Sequence, residues 1–238
     1  MKLDILAFGA HPDDVELGCG ATIAKEISLG KRVGIVDLTR GELGTRGSAE
    51  IRDEEAAKAA EILGVSVREN LNFRDGFFLN DEVHQLEIIK MIRKYQPEIV
   101  LCNAIDDRHI DHGKGSKLVS DACFLSGLRR IETFLEGINQ IEWRPKLVYH
   151  YIQWKNIEPD FVVDVSEFMQ KKIDAVMAYG SQFYDPNSKE PASPIATKNF
   201  TESVEYRAKD LGRLVFADYA EGFTAERYLA VNSLADLK

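Results

Sequence analysis

The stretch FGAHPDDVELGCG, residues 8–20, places His11, Asp13 and Asp14 within four positions directly behind an apolar run. A second polar knot, DDRHIDH at 106–112, follows another apolar run, EIVLCNA at 98–104. Carboxylates crowded into one turn repel and lose hydration, unless a positive charge sits among them. Imidazole nitrogen and carboxylate oxygen are suitable zinc ligands. A catalytic zinc typically has three protein ligands and keeps one position for water. One histidine and one aspartate from the first turn, with a histidine from His109-Ile-Asp-His112, would make such a set. The spare aspartate could take a proton from water whose pKa the metal lowers to about 7. Asp13 or Asp14 is also a natural helix N-cap, and capping does not prevent ligation by the other oxygen. A nucleotide loop is rejected. GxGxxG is absent, and Pro12 and two acids would face any pyrophosphate.

These residues need a scaffold that brings two strand ends together. The pattern predicts strands at Leu3–Ala10, Arg32–Thr39, Val67–Phe73 and Glu98–Ala104, and later at Lys146–Ile152 and Phe161–Val165. Helices are expected from Asp14 to about Leu29, from an N-cap at Ser48 to about Leu63, over Asp81–Tyr95 before Pro97, and from 112 to about 130. Two more are expected over Glu167–Tyr179 and about Thr201–Val215. Alternating strands and helices over the first 130 residues imply an α/β fold, a mostly parallel sheet with helices on both faces, plus a C-terminal elaboration. Ligands of such sheets bind beyond the carboxyl ends of the strands. His11–Asp14, the glycine-rich GELGTRGS loop (41–48) and 106–112 all fall on that rim.

The chain has 238 residues, 45% of them hydrophobic, which suits one domain spanning 1–238. Its net charge of -9 argues against a nucleic-acid surface. Three cysteines, no two of them separated by two residues, disfavour a disulfide framework and favour a reducing cytoplasm. The first apolar run carries Asp4 and breaks at His11, too short for a membrane span. His84 reads as a solvated surface residue, His150 as a packed or edge-strand histidine, and Cys19 as a small core residue. The polar loop Asp185–Lys198 reads either as a solvated loop or as an active-site flap.

AHPDD behind the first strand, paired with HxDH behind a later one, resembles the zinc-dependent PIG-L/LmbE-like N-deacetylases. GELGTRGSAEIRDEEAAKAAEILG, NFRDGFF and RHIDHGKGSKLVSDA resemble the branch that acts on N-acetylglucosaminyl malate in bacillithiol biosynthesis. The resemblance implies a Rossmann-like fold and one Zn²⁺ per chain held by His11, Asp14 and His112. It implies Asp13 as general base, His109 near the scissile carbonyl and Arg52 as a substrate-holding arginine. It also implies a homo-oligomer, trimer or hexamer. Asp111 is expected to orient a neighbouring imidazole. Arg108 is a candidate for an aglycone carboxylate, with a surface ion pair to Asp106 or Asp107 as the competing reading. The rival activities are a zinc amidase acting on a thiol conjugate or another N-acetyl sugar, and a non-catalytic sugar-binding protein. The last leaves the spare carboxylate unexplained.

Overall fold

The computed structural model describes residues 1–236. The elements are β1 (Ile5–Gly9), α1 (Asp14–Ser28), β2 (Val33–Thr39), α2 (Ala49–Leu63), β3 (Val67–Phe73), α3 (Glu82–Tyr95), β4 (Ile99–Cys102) and α4 (Ile110–Ser126). They continue with β5 (Phe134–Leu135), β6 (Ile138–Asn139), β7 (Leu147–Tyr151), β8 (Phe161–Asp164), α5 (Met169–Met177), α6 (Lys198–Arg213) and β9 (Ala220–Ala225). Seven strands form one sheet in the order β3-β2-β1-β4-β7-β9-β8. The first five in that order are parallel, whereas β9 runs antiparallel to both β7 and β8.

Strand periodicity divides the core. Leu6, Phe8, Val36 and Val100 point to one face and pack against Ile88, Ile92 and Leu118 of α3 and α4. Ile5, Ala7, Ile35 and Leu101 point to the other and meet Val15 and Ile23 of α1, Leu63 of α2 and Val176 of α5. Both faces of the central strands are therefore buried, as a parallel sheet requires. Ser48 caps α2 by accepting from the Ile51 N–H, and α2 ends at Gly64 with φ 84.

Several features depart from the sequence reading. Strand β9 (AEGFTA) is absent from it, because Ala220, Glu221 and Gly222 have little strand propensity. The β5–β6 hairpin is absent as well. Helix α4 starts at Ile110 rather than 112, because His109 takes the N-cap position and its Nδ1 accepts the Asp111 N–H. Helix α1 breaks at Cys19 (φ -145, ψ 22), and the Glu221 carboxylate accepts the Ala21 and Thr22 N–H groups behind the break. His84 is half-buried rather than solvated: Nδ1 lies 2.6 Å from Asp81 Oδ1 and the ring stands edge-on to Phe73. His150 is packed as expected, with Nδ1 2.7 Å from Ser116 Oγ. No helix among the described residues is long and apolar enough to cross a membrane.

Candidate active site

The chain leaves β1 toward β2 on one side and reaches β4 on the other, so the strand order reverses between β1 and β4. The loops behind these two strands carry the two polar knots. The turn after β1 is pinned by Thr39, whose hydroxyl and N–H both donate to Ala10 O. Asp13 sits there at φ 112, a conformation that costs a non-glycine residue about 1–3 kcal/mol. The turn points the two aspartates in different directions.

Asp14 faces both histidines. Its Oδ2 lies 3.4 Å from His11 Nδ1 and its Oδ1 lies 3.1 Å from His112 Nε2. The far nitrogen of each imidazole is held by another carboxylate: His11 Nε2 by Asp75 Oδ1 at 3.0 Å, His112 Nδ1 by Asp107 Oδ2 at 2.9 Å. Carboxylates in these positions fix the tautomer and orientation of metal-binding histidines. Nitrogens of His11, His109 and His112 also lie within 4.8 Å of one another. Burial disfavours charge on His11, yet its contacts with Asp111, Asp14 and Asp75 hold it well above the usual histidine range. Burial likewise opposes charge on His112, but Asp14 and Asp107 raise it to about 9. The cluster thus calls for positive charge at its centre, and its nitrogen and oxygen donors fit zinc.

Asp14 is gripped beyond these contacts. Oδ2 accepts the His11 N–H at 2.9 Å and Asn103 Nδ2 at 3.0 Å, and Oδ1 accepts Gln153 Nε2 at 2.7 Å. Asn103 cannot turn its amide over, because its Oδ1 already accepts the Ala10 N–H. Two donors fill Oδ2 and one occupies Oδ1, so the remaining lone pair on Oδ1 is the one left for a cation.

Asp13 is buried beside this cluster. Burial pushes its carboxyl up to about 7, although Arg52 opposes the rise. Arg52 Nη2 donates to Asp13 Oδ2 at 2.8 Å and to Pro12 O at 2.9 Å, so the expected substrate-holding arginine is first of all the partner of Asp13. Gly41 lets Arg52 approach, since a Cβ there would sit 1.8 Å from Nη1. The half-buried His109 is held below the usual histidine range by burial and by the charges of His11 and His112. Its Nδ1 accepts the Asp111 N–H, so the neutral ring carries its proton on Nε2. Asp111 Oδ2 approaches His11 Nε2 at 3.4 Å, the orienting contact expected of it.

Arg108 does not form the surface ion pair with Asp106 or Asp107. The guanidinium lies over the Trp154 ring, 4.7 Å from the centroid, and no described carboxylate pairs with it. Asp106 pairs with Lys155, and Asp107 accepts the Arg108 N–H and holds His112. Motif spacing does not mark Asp75, Asp107, Asn103 or Gln153 as site residues. Asp75 stands in NFRDGFF at the end of β3, and Asn103 follows β4, so their rim positions were the available signal. A cavity of about 440 Å³ opens onto His11, Asp13, Asp14, His109 and His112. Ser193, Pro194 and Ile195 form part of its wall, which ties the 185–198 loop to the site.

The family model described as PIG-L: GlcNAc-PI de-N-acetylase matches residues 6–123, the segment that holds both polar knots. A deacetylase of Escherichia coli, YaiS, is 43% identical over 114 residues, which cover 45% of this chain and 61% of that protein. The diacetylchitobiose deacetylase of Thermococcus kodakarensis is 32% identical over 193 residues, covering 75% of this chain and 70% of its own. The crystal structure of the conserved protein TT1542 from Thermus thermophilus superposes with a TM-score of 0.84 at 35% identity, covering 97% of this chain and 98% of that one. With the two knots joined at one rim and the likeness running through the whole sheet, the chain belongs to the PIG-L family of de-N-acetylases.

Proposed function

We propose that the protein is a zinc-dependent N-deacetylase that removes the acetyl group from an N-acetylglucosamine conjugate, with N-acetylglucosaminyl malate as substrate. The reading rests on one observation above all. His11 Nδ1 and His112 Nε2 face one carboxylate, each imidazole is held from behind by another, and a second aspartate sits free of that ligand set. In this reading His11, Asp14 and His112 hold the metal. When bound, zinc supplies a Lewis acid and lowers the pKa of its water to about 7.

The chain's own residues do the rest. Asp13 takes the proton of the attacking water and returns it to the departing amine, and a carboxylate poised near neutrality suits both transfers. Arg52 keeps that carboxylate aimed. His109 donates from Nε2 to the oxygen that gains charge as the carbonyl is attacked. Arg108, unpaired with any described carboxylate and laid on Trp154 at the rim, takes the aglycone carboxylate. The malate assignment draws on the likeness of the NFRDGFF and RHIDHGKGS segments to the bacillithiol branch. A homo-oligomeric state is also part of the proposal, supported by exposed Tyr228, Leu229, Val231 and Leu234. A monomer mass in sedimentation would remove it.

The test is product analysis after incubation with N-acetylglucosaminyl malate and with plain N-acetylglucosamine. Acetate and free amine should appear from both, faster from the conjugate. Release from neither would refute the activity. Equal rates would refute the malate preference.

A further inference from the structure

The active-site cavity has two chemically different ends. Toward the rim the lining is polar, with Thr45, Arg46, Arg52, Arg108 and Gln153. The other end runs beneath α6. Phe200, Val204, Ala208 and Leu211 recur there at helical spacing and face Leu17 of α1 and Ile152 behind β7. From Phe200 to Leu211 this wall is about 16 Å long at 1.5 Å per residue.

The polar side chains of that arm are all engaged inside the protein. Lys172 Nζ donates to Glu221 Oε1 at 2.6 Å, and the Glu221 oxygens also cap the break in α1. Ser203 donates to Phe200 O, and Arg207 donates to Trp154 O and Lys155 O. Gly222 lets Leu211 and Ile152 close over β9, since a Cβ there would meet them at 3.1 and 3.2 Å. Apart from these engaged groups, a ligand in this arm meets apolar surface.

An acetyl group beside the metal-binding cluster leaves such an arm unused. We propose that the arm is an acyl-chain subsite, and that the enzyme accepts N-acylglucosamines whose aliphatic acyl group is longer than acetyl. This rests on the deacetylase reading, which sets the scissile amide at the cluster. The sugar then lies toward the polar rim and the acyl carbons toward α6, so polarity falls on the matching side of the amide. Each methylene fully buried there favours binding about four-fold.

The test uses N-acetyl-, N-butanoyl-, N-hexanoyl- and N-octanoylglucosamine in two assays. The first is amine release by the zinc-loaded enzyme. The second is the Kd of each compound for the zinc-loaded Asp13→Asn variant, which reads the arm without turnover. Kd should fall by about four-fold per buried methylene, about 10³-fold or more from acetyl to octanoyl, and kcat/KM should rise along the series. Val204→Trp, which fills the arm, should bring octanoyl back to the acetyl value and leave acetyl unchanged. Should that variant not fold, the wild-type series decides alone. Affinity that falls with chain length overturns the proposal, as does an equal loss for both compounds in folded Val204→Trp. An equal gain from octyl N-acetylglucosaminide would put the chain on the aglycone side and overturn it too. Binding that strengthens along the series without any amine release would refute the deacetylase reading and leave an aliphatic subsite.

Discussion

Two clusters of buried charge lie near the sheet, and they answer the same problem differently. In one, Arg68 forms a two-pronged pair with Asp37, Nε to Oδ2 at 2.7 Å and Nη2 to Oδ1 at 2.9 Å, and reaches Glu16 Oε1 at 2.5 Å. Tyr179 OH donates to the same Glu16 oxygen. None of these four lines the active-site cavity. In the other, the carboxylates of Asp14, Asp75, Asp107 and Asp111 are answered by His11 and His112, and the cavity opens onto Asp14, Asp75 and both histidines. A guanidinium is a permanent cation with no lone pair to offer a metal, so the Arg68 cluster is closed. An imidazole can shed its proton and become a ligand, so the histidine cluster can exchange its charge for a metal ion. Burial of carboxylates marks neither cluster as functional. The kind of cation facing them does.

The contrast can be broken by substitution. Asp13→Asn nearly preserves shape beside the histidine cluster but removes the proton acceptor. It should keep its zinc and lose kcat by roughly 10²–10⁴-fold, measured as amine release alongside metal analysis. On the closed side, Arg68→Met leaves Asp37 and Glu16 buried without their cation. Denaturant unfolding should show a loss of about 3–5 kcal/mol, while the zinc content of the folded protein stays at the wild-type value. A variant that lost zinc and kept its stability would erase the distinction.

Smaller changes sharpen it. Asn103→Ala removes one donor to Asp14 without touching a metal-facing atom. Chelator competition should show zinc affinity weakened about 10–100-fold, and unchanged affinity would deny Asn103 its positioning role. Arg108→Ala should have the mildest effect, a few-fold rise in KM for the malate conjugate with none for plain N-acetylglucosamine, since one exposed charge contact contributes about 1 kcal/mol or less. Equal changes for both substrates would reduce Arg108 to a cover for Trp154.

The legible part of the site was the part written locally. His11, Asp13 and Asp14 share one turn and His109 and His112 one helix start, so spacing alone exposed them, and strand–helix alternation put both on one rim. Asp75, Asn103 and Gln153 each stand behind a strand, where any turn could place a polar residue. Their meaning comes from contacts spanning 64, 89 and 139 positions in the chain. Arg68 is a further case: it lies inside β3, and only Asp37 on the neighbouring strand and Glu16 on α1 explain its burial. Strand β9 was hidden for a related reason. It is held between β7 and β8 by their ladders rather than by its own composition.

His11, Asp14 and His112 are proposed to hold one zinc together. The most direct measurement is titration of zinc into chelator-treated wild-type and His112→Ala protein, followed calorimetrically. The wild type should bind one zinc per chain and the variant should show no tight site, with both proteins folded. A variant that binds one zinc with wild-type affinity would contradict this assignment.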